Sequence, residues 1–390
     1  MQSIAHKLLP QLAMYVDAKK YILGKDGHVF IGYYDIDPVD TTNKKVLCHR
    51  VSLQFTNSIE PHIGDIGLIS IESPNVFDKI GETKAVNWQL GSRLQWISEQ
   101  EIIYNDIIDD KQCSILFNLE KNIVQRQFIR PFWALSPNLS IGVSLNFARL
   151  SVKRPGYGYG GVSPDGDNDT LTIFEISTDQ VLFQITLDEV VGKIGFNLPE
   201  GADAYFNHVT WSPCSTRFIT LFLFEEPSSG ERFSYPVLVN CLDYSVSLFH
   251  NEGLFSHHVW LDDERVLAFL KLDGVNTFAV WDSSFGWNKS KENMPSLDGH
   301  PSILSDSDEL IVDSYPDRLG RMSLYRASTD VSKKLLKISR IMNSKVYSGA
   351  HRCDLHPRVS KGNKYIICDA PFQNGRRVLV IENSGASSKL

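Results

Sequence analysis

Asp298-Gly299-His300-Pro301-Ser302 and Asp354-Leu355-His356-Pro357-Arg358 open two stretches of one design. His300 is followed by Glu309-Leu-Ile-Val-Asp313 and Leu319-Gly-Arg321-Met-Ser-Leu-Tyr325. His356 is followed by Lys364-Tyr-Ile-Ile-Cys-Asp369 and Asn374-Gly-Arg376-Arg-Val-Leu-Val380. Each stretch reads as a polar opening, an apolar strand ending in Asp, a charged turn and a second strand. A repeat of roughly fifty residues points to a propeller, a solenoid or an array.

Weaker copies lie upstream. Asn207-His208-Val209-Thr210-Trp211-Ser212-Pro213 precedes Thr216–Phe224, and Ser256-His257-His258-Val259-Trp260 precedes Glu264–Phe269. Without the histidine, the pattern recurs at Trp133-Ala-Leu-Ser136-Pro137, at Leu94-Gln-Trp96 and at Tyr34-Asp-Ile-Asp37-Pro38. Seven openings of this kind, each an apolar or aromatic strand, a Ser-Pro or Asp-rich turn and a β-branched strand, predict an all-β fold. That fold is a seven-bladed β-propeller of four-stranded antiparallel blades. Blade boundaries are expected near residues 80, 125, 200, 255, 298 and 350, with residues 1–24 as an N-terminal extension and 25–390 as a single propeller domain. The third blade is expected to be enlarged, because about 75 residues separate Trp133 from His208.

Composition agrees with an ordinary globular chain: of 390 residues, 42% are hydrophobic and 22% charged. The 46 acidic residues outnumber 39 basic ones, giving a net charge of −7, and no basic stripe is visible, which disfavours nucleic acid. Six cysteines without a CxxC pair offer neither a zinc ribbon nor a disulfide framework. No apolar run approaches the roughly 20 residues of a membrane span. Residues 1–16 read as a short leading helix or strand without the marks of a secretion signal, so cytoplasmic residence is expected.

In a propeller the openings of the blades share one end, so histidines at equivalent openings are expected to converge. His208, His257, His300 and His356 stand at such points, with Asp354, His351 and Asp298 close by; imidazoles with a carboxylate suit a divalent transition metal. The bland alternative is that each His bonds a neighbouring blade's backbone. In Arg154-Pro-Gly-Tyr157-Gly-Tyr159 the glycines leave little bulk, so both tyrosines are expected to project from a loop, ready to move a proton or stack on a sugar, or else to anchor that loop. Asp165-Gly-Asp167-Asn168-Asp169 lacks the spacing of a calcium loop and reads as a solvated turn. Arg352 and Arg358 suit carboxylate capture, the alternative being that they pair with Asp354 or Asp369 within the fold.

Several strings together resemble a widespread bacterial family of seven-bladed propellers. They are Trp88-Gln-Leu-Gly91, Ile103-Tyr-Asn-Asp106, Asn146-Phe-Ala-Arg149-Leu150, Arg154–Tyr159, Phe206-Asn-His208, Asp298-Gly-His300, Asp313-Ser-Tyr-Pro-Asp317 and Arg352-Cys-Asp-Leu-His-Pro-Arg358. The family is similar to the propeller polysaccharide lyases, namely oligogalacturonate lyase and the ulvan lyases. The first of these holds manganese with three histidines and a glutamine. The resemblance implies that His300 matches the ligand from an earlier blade and His356 one from the final blade. Asp354 stands where another His is expected, and His351 near the place of the Gln. The ulvan lyases use His, Tyr and Arg for elimination, residue types that His208, His257, Tyr157, Tyr159 and Arg154 supply. The expectation is therefore a lyase-like propeller that cleaves an acidic oligo- or polysaccharide by β-elimination, with a divalent metal, manganese by resemblance. In it His300, His356, Asp354 and His351 serve the metal, His208, His257, Tyr157 and Arg154 the catalysis, and Tyr159, Arg352 and Arg358 the substrate. The alternative is a non-catalytic propeller that binds a glycan or protein partner; oligomeric state is left open.

Overall fold

The computed structural model describes residues 14–16, 18–56, 59, 61–163, 169–289 and 293–383. Among them seven antiparallel sheets make a seven-bladed β-propeller, the first five each a simple meander of consecutive strands. Blade 1 runs from His28–Phe30 to Asp78–Thr83, blade 2 from Gln95–Trp96 to Ile123–Phe128, and blade 3 from Ala134–Leu135 to Val181–Thr186. Blade 4 runs from Tyr205–Trp211 to Val246–Leu248, and blade 5 from Phe255–Trp260 to Gly286–Lys289. Blade 6 holds Pro301–Ile303, Glu309–Asp313, Arg321–Ser328 and Leu336–Met342; blade 7 holds Arg358–Val359, Tyr365–Phe372 and Gly375–Glu382. The boundaries fall within several residues of those read from the repeat.

The start of the chain departs from that reading. Lys20–Leu23 is the fourth strand of blade 7, pairing Lys20 with Ile381 and Leu23 with Val378, and Met14–Val16 adds a fifth strand to blade 6, Met14 opposite Ile341. Residues 14–23 thus belong to the sheets and not to an extension outside them; of the short leading helix or strand expected over residues 1–16, residues 14–16 are strand and residues 1–13 lie outside the described residues.

The apolar strands are buried on both faces, which is why they read as near-continuous hydrophobic runs. Within Gly375–Glu382, Val378 and Val380 join a core with Val29, Val46 and Ile69 of blade 1. The alternate residues Leu379 and Ile381 join Ile311, Leu324 and Ile341 of blade 6. Side chains of successive residues leave opposite faces of a strand, so one strand serves two cores.

Blade 3 is enlarged as expected. Between its strands Ile141–Ser144 and Thr170–Glu175 lies a helix, Phe147–Lys153, capped by the Asn146 side chain, which accepts from Arg149 N at 2.9 Å. A second helix, Leu187–Lys193, begins with a Thr186/Glu189 capping box. No helix among the described residues is long and apolar enough to cross a membrane.

The chain gathers into two compact units. Ile108–Ser114 and Phe128–Lys289, with blades 3 to 5, form one; blades 1, 6 and 7 and most of blade 2 belong to the other. Each carries one of the histidine groups.

Candidate metal centre

His300, Asp354 and His356 meet in the unit that holds blades 6 and 7, with one ligand-type atom from each lying within 4.8 Å of the others. All three are buried, and the two imidazole rings stand at 87° with centroids 4.4 Å apart. His300 and His356 come from the last residues before the first strands of blades 6 and 7, where the chain leaves a loop and enters the sheet.

Both rings are anchored through Nδ1. His300 Nδ1 lies 2.9 and 3.0 Å from the two oxygens of Asp313, whose Oδ1 also accepts the His300 backbone N–H at 2.6 Å. His356 Nδ1 lies 3.0 Å from the carbonyl oxygen of Gly32, and its backbone N–H donates to Asp313 Oδ2 at 3.1 Å. His356 Nε2 is 4.0 Å from Asp354 Oδ2. Imidazoles that ligate metals characteristically commit their second nitrogen to a carboxylate or carbonyl in this way. His356 adopts φ 46°, in the left-handed region where a non-glycine residue is uncommon and where strain collects at functional sites.

The electrostatics match the geometry. Burial disfavours charge on the His300 imidazole, but Asp313, with Asp354 and Asp298 behind it, outweighs burial and raises the pKa above its ordinary value. Arg352 Nε donates to Asp354 Oδ2 at 2.8 Å, and the Arg352 side chain, 30% exposed, links the buried carboxylate to solvent. The rings of Tyr34 and Tyr315 lie 5.2 and 5.7 Å from that of His300, and Tyr33 lies 4.9 Å from His356. Asp313, Tyr33, Tyr34 and Tyr315 were not singled out from the sequence. Asp313 was nonetheless in view as the Asp that ends the repeated strand.

Two residues expected here have other work. His351, the proposed fourth ligand, packs in an aromatic nest with Trp88, Tyr347 and His28, at centroid distances of 4.5, 5.1 and 5.5 Å. Arg376 closes that nest, donating to the carbonyls of Trp88, His351 and Arg352. Burial and the Arg376 charge lower the His351 pKa to about 4. Arg358, expected to bind substrate, is buried and spends its guanidinium on the carbonyls of His356 and Tyr33, so it is a structural tie.

The other unit holds the second histidine group. His208 lies in a β-bulge of Tyr205–Trp211 with φ 63°, and the strand Phe255–Trp260 carries its own register shift around His257. Bulges of this kind re-aim side chains. The His208 ring lies 5.7 Å from Trp133, 6.3 Å from His257 and 6.4 Å from both His258 and Tyr157. Arg154 sits over the Tyr157 ring at 4.0 Å. His208 thus lies near His257 and Tyr157, with Arg154 on the Tyr157 ring, and the four histidine openings form two groups, one in each unit.

The tyrosines do not project. Tyr157 and Tyr159 are each only 1% exposed, and Tyr159 stacks on Phe147 at 4.6 Å. The glycines let the loop close on its own helix: a Cβ on Gly158 would lie 1.9 Å from Ser151 N and 2.3 Å from Phe147 O. Tyr159 is a core residue and not a sugar platform. Of the acidic turn, residues 164–168 lie outside the described residues, and Asp169 is no solvated turn residue. It is buried, accepts from Phe206 N and Thr170 N, and has its pKa pushed to about 7 by burial.

The fold and the first site together define a class: a seven-bladed propeller with a buried centre of two histidines and one carboxylate at the openings of its last two blades. Among solved structures the chain is similar to an oligogalacturonate lyase from Vibrio parahaemolyticus, with 13% identity and a TM-score of 0.59 over 95% of this chain and 97% of that one. It is also similar to the tricorn protease, with 10% identity and a TM-score of 0.52 over 96% of this chain and 35% of that one. An acylaminoacyl peptidase from Pyrococcus horikoshii gives 10% and 0.50 over 90% and 52%. At these identities the likeness is one of fold. No protein-family model and no curated protein sequence matches the chain.

Proposed function

We infer that the protein is a metal-assisted lyase that cleaves a uronate-containing oligo- or polysaccharide by β-elimination. The observation that carries this reading is the His300–Asp354–His356 trio with both imidazole Nδ1 atoms already anchored, a donor set that fits a divalent cation such as manganese. These three residues would hold the ion. When bound, it supplies positive charge beside a uronate carboxylate and so acidifies the neighbouring C5 proton. Arg352, at the solvent side of Asp354, adds a guanidinium suited to the same carboxylate. Tyr315, 37% exposed, offers a ring face to a sugar and, with Tyr34, a phenol for proton transfer. In the reaction the C5–H and C4–O4 bonds break, a C4–C5 double bond forms and the leaving oxygen takes up a proton.

Incubation of the protein and Mn²⁺ with oligogalacturonates and with ulvan tests the reading: an unsaturated uronide forms and absorbs in the ultraviolet. No absorbance on either substrate overturns the lyase assignment. A second reading, binding without turnover, rests on the deep burial of the trio, at 1% to 4% exposure. It is selected if the glycans bind in a metal-dependent way and remain uncut.

A further inference from the structure

We propose that Asp313 is the positioning residue of this centre, holding His300 in the Nδ1–H tautomer so that Nε2 is its ligand atom, and fixing the His356 backbone with the same carboxylate. The proposal rests on the metal-centre reading above and concerns a residue outside the ligand set.

The geometry leads to it directly. Asp313 is 1% exposed and receives the backbone N–H groups of His300 and His356, one on each oxygen. An ionised carboxylate only accepts, so the His300 Nδ1 that contacts both of its oxygens must be the protonated nitrogen. In the neutral ring the lone pair then sits on Nε2. The tautomer that can bind a cation is thereby chosen before any cation arrives.

The internal repeat extends the argument. Asp369, the copy of Asp313 in blade 7, accepts from Ile31 N at 2.9 Å and Gly32 N at 3.4 Å, and the carbonyl of that same Gly32 receives His356 Nδ1. Gly32 adopts φ 103°, and a Cβ there would lie 2.6 Å from Leu90 O, so the position needs glycine. The Asp that ends the repeated strand thus orients both imidazoles: Asp313 acts on His300 by direct contact, and Asp369 on His356 through the single residue Gly32.

The test uses the full chain. In ¹⁵N-histidine NMR of the wild type, at a pH above the raised His300 pKa and with His300 assigned through His300→Gln, the expected pattern is a protonated Nδ1 and an unprotonated Nε2; the reverse pattern overturns the proposal without recourse to any variant at Asp313. Asp313→Asn puts an amide N–H₂ in place of one acceptor. It should therefore shift His300 toward the Nε2–H tautomer and lower Mn²⁺ and Zn²⁺ affinity, measured by calorimetry, by about 10- to 100-fold. Circular dichroism checks that this variant is folded, and a folded variant with wild-type affinity also overturns the proposal. If the wild type binds neither ion, the metal-centre reading fails, and the wild-type tautomer still decides what Asp313 does to His300.

Discussion

Asp313 grips His300 through both the imidazole and the backbone while holding the backbone N–H of His356, so one buried carboxylate joins the first strands of two successive blades to a common centre. The centre and the blade 6 to blade 7 contact are therefore stabilised by the same bonds. A cation bound to the folded trio and not to the unfolded chain should raise stability by about 2.7 kcal/mol at a hundredfold excess over Kd. Thermal unfolding with and without Mn²⁺ should show this as a higher Tm. The gain should vanish in His300→Ala and His356→Ala, and shrink as pH falls through the raised His300 pKa, because the proton and the cation compete for the ring. A Tm indifferent to Mn²⁺ and Zn²⁺ would count against the centre.

Gly299, just before His300, packs where no side chain fits: a Cβ would lie 2.1 Å from the backbone oxygen of Asp313. Gly299→Ala must push the His300 loop away from Asp313, and Asp313 is the group that orients the ring. The expected outcome is a loss of roughly 1–3 kcal/mol, the usual range for forced strain in a packed site, together with weakened metal binding. Urea unfolding and calorimetry measure the two effects, and a variant with wild-type values in both would show that the loop yields without disturbing the ligand.

The repeat carried the fold because apolar strands, two of them with an Asp at the matching position, recur at blade spacing, and burial on both faces made those strands easy to see. Residues that act across blades were harder to read. Asp313 stood in plain view as a strand end, but its partner His356 N–H lies 43 positions on. His351 and His356 are five positions apart, yet the turn at Gly349–His351 and the bonds from Arg376 send the first ring to Trp88 and leave the second beside His300. The glycines of Arg154–Tyr159 misled for a related reason: composition does not distinguish room for a ligand from room for the chain's own helix, and Gly158 serves the helix.

Lys20–Leu23 and Met14–Val16 are too short to announce themselves as strands, but they finish blade 7 and extend blade 6. Leu23 is fully buried in the core shared with Val29 and Val378. Deleting residues 1–24 should therefore uncover the Gly375–Glu382 edge and lower the denaturation midpoint markedly, whereas removing a true extension would leave it unchanged. Leu23→Ala alone should cost about 2–5 kcal/mol in urea unfolding, the range for a buried leucine.

His28 and His351 set an acid limit on the fold. Burial, the Arg376 charge, His351 and Arg377 hold the His28 pKa at about 3, and burial and Arg376 hold that of His351 at about 4. Their rings lie 5.5 Å apart, with the Arg376 guanidinium 4.5 Å from the Trp88 ring that both of them touch. In the unfolded chain each titrates near 6.5. Between that value and the folded ones the unfolded state binds protons that the folded state refuses, so stability falls as pH drops from about 6.5 toward 4 and then 3, and is fully present above 6.5. His300 acts in the opposite sense and in another window: its raised pKa favours the folded state until pH climbs through that value. Urea unfolding at pH 7.5, 6 and 5 should show the acid loss in the wild type and a flatter profile in His28→Gln and His351→Gln, whatever those substitutions cost at neutral pH. An equally steep profile in both variants would mean that other groups set the acid limit.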